Sequence, residues 1–159
     1  MPAESHERII AFVDLDYFFA QVEELQRPDL ADKPLVVCVF SGRTSTSGVV
    51  SSANYVARSY GVKAGMPISR AMKLLPASAI FLPARTQLYS EVSNRVMSIL
   101  AEYAYSIRIE SIDEASLDIT ERVGGDFDQA HILAKTIKER LRSELSLKCS
   151  VGVAPNRIV

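Results

Sequence analysis

Ile107-Arg108-Ile109-Glu110-Ser111-Ile112-Asp113-Glu114-Ala115-Ser116-Leu117-Asp118-Ile119 is the stretch on which the fold turns. Apolar residues alternate along both arms, and the acidic pair Asp113-Glu114 lies near the bend. Period-two alternation marks half-buried strands, so the stretch reads as a β-hairpin. Working outward, Thr86 can cap a long helix with Leu88, Val92, Val96, Ile99 and Tyr103 along one side. On the other flank, Asp126 and Gln129 resemble a capping box. They open a helix that turns Ala130, Leu133, Ile137, Leu141 and Leu145 inward, and Lys148 to Val153 follows as a strand. Near the start, Ile9 to Leu15 reads as a buried strand. Strand, helix, hairpin, helix, strand is the pattern of an α+β fold, an antiparallel-containing sheet with helices on one face.

Between the first strand and residue 80 or so lies an insert that reads as a small lobe of its own. A helix runs from Asp16 to Leu25, capped by Asp16 and ended before Pro28. Leu35 to Phe40 is an apolar strand, Ser41 to Gly48 a Ser/Thr/Gly loop, and Val49 to Ala53 a second strand. A short helix from Asn54 to Tyr60 stops at Gly61. Pro67 suits the first turn of a helix with Ile68, Ala71, Met72 and Leu75 on its apolar face, Pro76 ends it, and Ala79 to Leu82 is a short strand.

The bulk numbers set limits. The chain has 159 residues, 48% hydrophobic and 23% charged, an ordinary globular balance with enough length for a real core. No apolar run reaches the length of a membrane span, and Met1 to Arg8 is polar, unlike a signal peptide. An intracellular, cytoplasmic protein is therefore expected. Cys38 and Cys149 lie in apolar runs with no second Cys or His at zinc-finger spacing and read as buried free thiols. His6 and His131 have no partner at metal spacing and read as bystanders. The net charge of -1 is unusual for a free-standing nucleic-acid binder. Residues 58 to 85, however, hold Arg58, Lys63, Arg70, Lys73 and Arg85 and no acid; they read either as a solvated face or as a phosphate-facing one.

Asp14 stands at the end of the apolar run Ile9-Ile10-Ala11-Phe12-Val13, and Asp113-Glu114 at the hairpin bend. An unpaired charge near a core is costly, and three together cost more unless divalent cations neutralise them. Oxygen-only donors suit magnesium, which keeps water and substrate phosphate as further ligands. The combination points to phosphoryl transfer assisted by two metals. Taken alone, Asp113-Glu114 reads rather as an exposed acidic turn, since surface acids are common. Neighbours in a straight strand also face opposite ways, so both can serve one site only if the backbone bends there.

Several motifs together resemble the Y-family lesion-bypass DNA polymerases, especially the archaeal type. They are Phe-Val-Asp-Leu-Asp-Tyr-Phe-Phe-Ala-Gln-Val-Glu (12 to 23), Lys-Pro-Leu-Val-Val-Cys-Val (33 to 39), Ala-Asn-Tyr-Val-Ala-Arg (53 to 58), Gly-Val-Lys-Ala-Gly-Met-Pro (61 to 67), Ser-Ile-Asp-Glu-Ala (111 to 115) and Ser-Val-Gly-Val-Ala (150 to 154). The resemblance covers nearly all of residues 9 to 159 and implies a ferredoxin-like palm from 1–17 and 84–159, with a small α/β fingers insertion at 18–83. It implies that Asp14, Asp113 and Glu114, with the backbone carbonyl of Leu15, hold two Mg2+ ions, for which Mn2+ can substitute. It assigns the incoming triphosphate to backbone amides at Tyr17, Phe18 and Phe19 and to Ser52, Tyr55 and Arg58. Phe19 matches the steric gate, an aromatic ring where a ribose 2′-hydroxyl would project. Many members carry Tyr there; Phe keeps the bulk without the hydroxyl. Ser51 and Ser52 depart from the Ala and Thr often found at their positions. Glu110 and Asp118 share the hairpin but fall outside the family's motif.

The implied activity is template-directed nucleotidyl transfer from dNTP to a primer 3′-hydroxyl, with primer-template DNA and dNTP as partners and a nucleoid-associated location. Family members continue beyond this point with a further triphosphate-binding Lys, a thumb and a C-terminal DNA-gripping domain, often with a sliding-clamp-binding tail. The chain therefore reads as a monomeric palm-and-fingers fragment of weak or no activity. Two alternatives stand beside this reading. One is another two-metal palm enzyme such as a nucleotide cyclase, which needs neither the Tyr55 and Arg58 helix nor the aromatic gate; the other is a non-catalytic interaction fragment.

Overall fold

A computed structural model describes residues 7–155 of the chain. Two of the sequence readings, His6 and a helix starting at Pro155, lie outside the described residues or run into the part outside them. The chain divides into two compact units, residues 1–16 with 90–159 and residues 17–89.

The first unit is built on a four-stranded sheet. Its strands are β1 (Ile10–Leu15), β5 (Ser106–Ser111), β6 (Glu114–Asp118) and β7 (Cys149–Ala154), in the order β5-β6-β1-β7. Every neighbouring pair is antiparallel. With α4 (Thr86–Ala101) between β1 and β5 and α5 (Phe127–Leu145) between β6 and β7, the connectivity is the β-α-β-β-α-β of a ferredoxin-like sheet. Alternation separates the two faces of the central strands. Ala11, Val13 and Leu15 are buried with Ala115, Leu117 and Ile119, whereas Asp14 and Glu114 on the opposite face are exposed. Helix α5 packs on β7 and buries Ala130, Leu133, Ala134, Ile137 and Leu141. Asp126 caps it by accepting from the Asp128 amide at 2.8 Å.

Of the face expected for helix α4, Val96, Ile99 and Tyr103 are buried, while Leu88 and Val92 are only half-buried; Tyr89, Ser93, Met97 and Leu100 are buried beside them. Ser93, polar by type, points inward and donates its hydroxyl to the Ile112 carbonyl. The boundary between the units falls inside this helix, after Tyr89, and the first turn is tied to residues earlier in the second unit (below).

The second unit carries a three-stranded sheet in the order β3-β2-β4, from β2 (Leu35–Phe40), β3 (Gly48–Ala53) and β4 (Ile80–Pro83). β2 pairs antiparallel with β3 and parallel with β4. Around it lie α1 (Phe18–Gln26), α2 (Tyr55–Ser59) and α3 (Ile68–Leu74), with a single 3-10 turn at Pro28–Leu30. Val36, Cys38, Val50, Ala53, Ala57, Val62, Ile68 and Ala71 form its core. Gly48 stands where a β-carbon would lie 2.1 Å from the Val39 carbonyl oxygen, so only glycine fits there. Both cysteines are buried and free, and burial pushes each thiol up to about 11.

The start of α1 also departs from the sequence reading. Tyr17, in the left-handed region at φ 30°, is the N-cap, and it makes no side-chain cap bond. Asp16 lies one residue ahead of this cap, and its carboxylate accepts from the Ser150 hydroxyl at 2.9 Å.

Candidate active site

β1 delivers the first carboxylate. Asp14 is paired in register with Glu114 on β6 and Ser150 on β7. Directly opposed residues on antiparallel strands project to the same side of the sheet, so Asp14 and Glu114 share a face, and both are exposed. Asp113 sits in the two-residue turn Ile112-Asp113 that joins β5 to β6, outside the strand alternation. The turn is thus the bend that neighbouring acids require. It is anchored to β1 by a 2.9 Å hydrogen bond from the Leu15 amide to the Asp113 carbonyl. Ser111 donates to the Asp113 carboxylate at 2.9 Å. Leu15, whose carbonyl was the fourth expected donor, has a buried side chain that fixes the strand end.

The neighbouring acids are otherwise engaged. Glu110 accepts from Ser116 at 2.8 Å and lies 3.3 Å from Arg108. Asp118 resists ionisation through burial, but Thr120 and Arg8 outweigh that and hold its carboxyl below the ordinary value. Among the described residues, no three His, Cys, Asp or Glu side chains are close enough to hold an ion. Asp14, Asp113 and Glu114 are thus gathered by register and turn, not drawn to one point. Closer approach of three like charges is costly without a cation. What fits a magnesium-type ion is the donor chemistry, all oxygen and on accessible backbone.

In the second unit, α1 and α2 carry the remaining expected site residues. Tyr17 and Tyr55 pack edge to face, ring centroids 4.5 Å apart. Tyr17 also donates its hydroxyl to Glu24 at 3.2 Å. Tyr55 and Arg58 are exposed on α2, with the guanidinium 6.0 Å from the Tyr55 ring centroid and its Nε bonded to the Ala53 carbonyl at 2.9 Å. Asn54, 1% exposed, caps α2. Phe18 is buried, while Phe19 is half-buried and stacked on Tyr89 at 4.4 Å and 16° between planes. Ser52 is buried, and its hydroxyl oxygen accepts from the Ala20 amide at 3.2 Å; it joins β3 to α1. Sequence reading missed Glu23, Glu24, Asn54 and Tyr89 as supports of these side chains. Asn54-Tyr55 at a helix start was the available signal for Asn54. Tyr89 lies outside the face expected for α4.

The chain matches the impB/mucB/samB (IMS) family over residues 13–159. It is 53% identical over 151 residues to DNA polymerase IV of Saccharolobus solfataricus, covering 95% of this chain and 42% of that one. To DNA polymerase IV of Methanosarcina acetivorans it is 46% identical over 159 residues, covering 96% and 43%. Among solved structures, an insertion ternary complex of Dbh DNA polymerase superposes with a TM-score of 0.90 at 53% identity, covering 94% of this chain and 43% of that one. DinB from Sulfolobus solfataricus superposes at 0.88 with 51% identity and the same coverage. The chain spans less than half the length of these relatives. From β1 to β7 the match is nearly continuous, and the chain belongs to the impB/mucB/samB family, the Y-family of DNA polymerases.

Proposed function

We propose that the protein is a template-directed DNA polymerase of the error-prone, lesion-bypass class, transferring a nucleotidyl group from dNTP to a primer 3′-hydroxyl. The observation that carries this reading is the pairing of Asp14 with Glu114 beside the Leu15–Asp113 backbone bond, in a member of this family. In this reading the unit with the antiparallel sheet is the palm and residues 17–89 are the fingers. Asp14, Asp113 and Glu114, with the Leu15 carbonyl, hold two Mg2+ ions, or Mn2+ in their place. When bound, such cations lower the pKa of the attacking hydroxyl and neutralise the triphosphate. Arg58 offers a planar fork to phosphate oxygens, and Tyr55 and Ser52 lie on the same lobe. The amides of Tyr17, Phe18 and Phe19, at the start of α1, face the same anion. Phe19 excludes a ribose 2′-hydroxyl. A sliding-clamp partner and a nucleoid-associated location rest on family membership alone.

The test is primer extension by the full-length polypeptide with one dNTP at a time and magnesium or manganese. Incorporation should follow the template base and require primer. Asp113→Asn should lower kcat by at least about 10²-fold, the scale on which one charge-stabilising group acts. Nucleotide turnover without primer-template, or an Asp113→Asn rate within threefold of wild type, would overturn the reading.

A further inference from the structure

Glu23 is charged by type and 2% exposed, on the first turns of α1. A buried carboxylate needs several partners, and this one has three bonds. Arg85 donates from Nε at 3.0 Å and from a second guanidinium nitrogen, a two-pronged grip, and the Tyr89 hydroxyl donates at 2.6 Å. Burial raises the cost of its charge, but these donors outweigh burial and hold the carboxyl below its ordinary value. Tyr89 is fully buried, and its phenol is pushed up to about 12, first by burial and then by the bond to Glu23. The group therefore keeps one arrangement of protons at neutral pH: ionised Glu23, neutral Tyr89, charged Arg85.

The far side of Tyr89 is where this rigidity is spent. Its ring lies against Phe19 almost parallel, centroids 4.4 Å apart, the offset-stacked arrangement aromatic pairs favour. Phe19 itself is half-buried, and Phe18 touches it only at a tilt, with centroids 5.9 Å apart. Glu23 is one helical turn beyond Phe19 on the same face of α1. The face of the Phe19 ring is thus set by Tyr89, whose hydroxyl is locked by a carboxylate on the same helix, itself clamped by Arg85.

We propose that Tyr89, held by Glu23 and Arg85, is a positioning residue for sugar selection: it fixes the plane of the Phe19 ring that meets the nucleotide's 2′ position. The inference rests on the gate role given to Phe19 under Proposed function. It adds Arg85 and Tyr89, which lie outside the motifs that carry the family resemblance. Loss of the flat ring frees Phe19 to tilt, and discrimination against ribonucleotides falls while the catalytic carboxylates are untouched.

The experiment compares single-nucleotide incorporation of rNTP and dNTP by the full-length polypeptide, reading kcat and KM for each. Phe19→Ala is the control for the gate itself. Tyr89→Leu keeps apolar bulk and removes the stacking face; the ratio of kcat/KM for dNTP over rNTP should fall by roughly two- to tenfold, the range a lost aromatic pair allows. The change should lie mainly in the rNTP values. Tyr89→Phe keeps the stacking face but loses the bond to Glu23, and should give an intermediate fall. Arg85→Ala removes the two-pronged grip while Tyr89 keeps its bond to Glu23, and should give an intermediate fall. An unchanged ratio in folded Tyr89→Leu, with a fall in Phe19→Ala, would overturn the inference while leaving the gate intact. If Tyr89→Leu does not fold, an unchanged ratio in Arg85→Ala does the same. No response to Phe19→Ala would instead overturn the gate reading and the inference with it.

Discussion

Replacing Asn54 by Ala removes a side chain that is 1% exposed and uses its full hydrogen-bonding capacity. Its amide oxygen accepts from the Leu35 amide at 3.0 Å and the Ala57 amide at 2.9 Å; its nitrogen donates to Glu24 at 2.9 Å and to the Lys33 carbonyl at 2.8 Å. The Ala57 bond is the N-cap of α2, and losing such a cap costs about 1 kcal/mol. The Leu35 amide and the Lys33 carbonyl lose a partner in a part-buried setting, at about 1–3 kcal/mol for a buried unsatisfied group. The sum is at least about 3 kcal/mol, which corresponds to a Tm lower by at least about 12 °C in a domain of 60–100 residues. Asn54→Asp should do no better. It keeps both acceptor bonds but turns an acceptor oxygen toward the Lys33 carbonyl and the Glu24 carboxylate. Because the chain has two units, amide hydrogen exchange is the assay, with the loss of protection confined to residues 17–89. Nucleotide KM should rise as well, since α2 carries Tyr55 and Arg58. Destabilisation of Asn54→Ala below about 0.5 kcal/mol, or an Asn54→Asp variant as stable as the parent, would refute this account of the junction.

Two further outcomes follow from buried titratable groups. Glu23 has a folded-state value below its ordinary 4.5, so its stabilising contribution is present above 4.5 and is lost as pH falls through the lower folded value; denaturant melts from neutral to acid pH should show this limb, and Glu23→Gln should lack it. Cys38 and Cys149, each pushed up to about 11, remain thiols at pH 8, so a thiol reagent should modify them only as fast as the protein opens; rapid labelling of the folded protein would contradict their burial.

Much of the fold is legible locally. The alternation of Ile107, Ile109, Ala115, Leu117 and Ile119 leads to strands at Ser106–Ser111 and Glu114–Asp118, with the turn between them. The parallel pairing of β2 with β4 leaves no such trace, because its partners are distant in sequence and either strand reads the same in any sheet. Asp16 is a related case: it satisfies the local rules for a cap, yet it also bonds Ser150, 134 positions away, which no local rule reveals. On α4, Tyr89, Ser93, Val96 and Leu100 keep helical spacing, but a serine in the stripe directs a hydrophobicity reading toward Leu88 and Val92 instead. Of the candidate site, Asp14, Asp113 and Glu114 were visible as acids at strand ends, while Phe19, Tyr55 and Arg58 were named through the family resemblance. The side chains that hold them were not, because support is a property of three-dimensional contact.

That support has a pattern. Adjacent glutamates on α1 serve different rings. Glu23 binds Tyr89, on which Phe19 is stacked; Glu24 accepts from Tyr17 and from Asn54, and Tyr17 packs against Tyr55. Neighbouring helical positions point about 100° apart, so one turn of helix can serve two aromatic clusters without bringing their carboxylates together. The arrangement also accounts for Tyr17 at φ 30°. A non-glycine residue in that region carries strain of about 1–3 kcal/mol. Against it stand the Gln21 amide bond to the Tyr17 carbonyl at 2.9 Å, the Glu24 bond and the edge-to-face contact with Tyr55. Tyr17→Gly would relieve the strain but remove the last two, so it should loosen α2 rather than stabilise it. Backbone strain at this position is retained because the side chain it presents ties α1 to α2 through Glu24 and Tyr55.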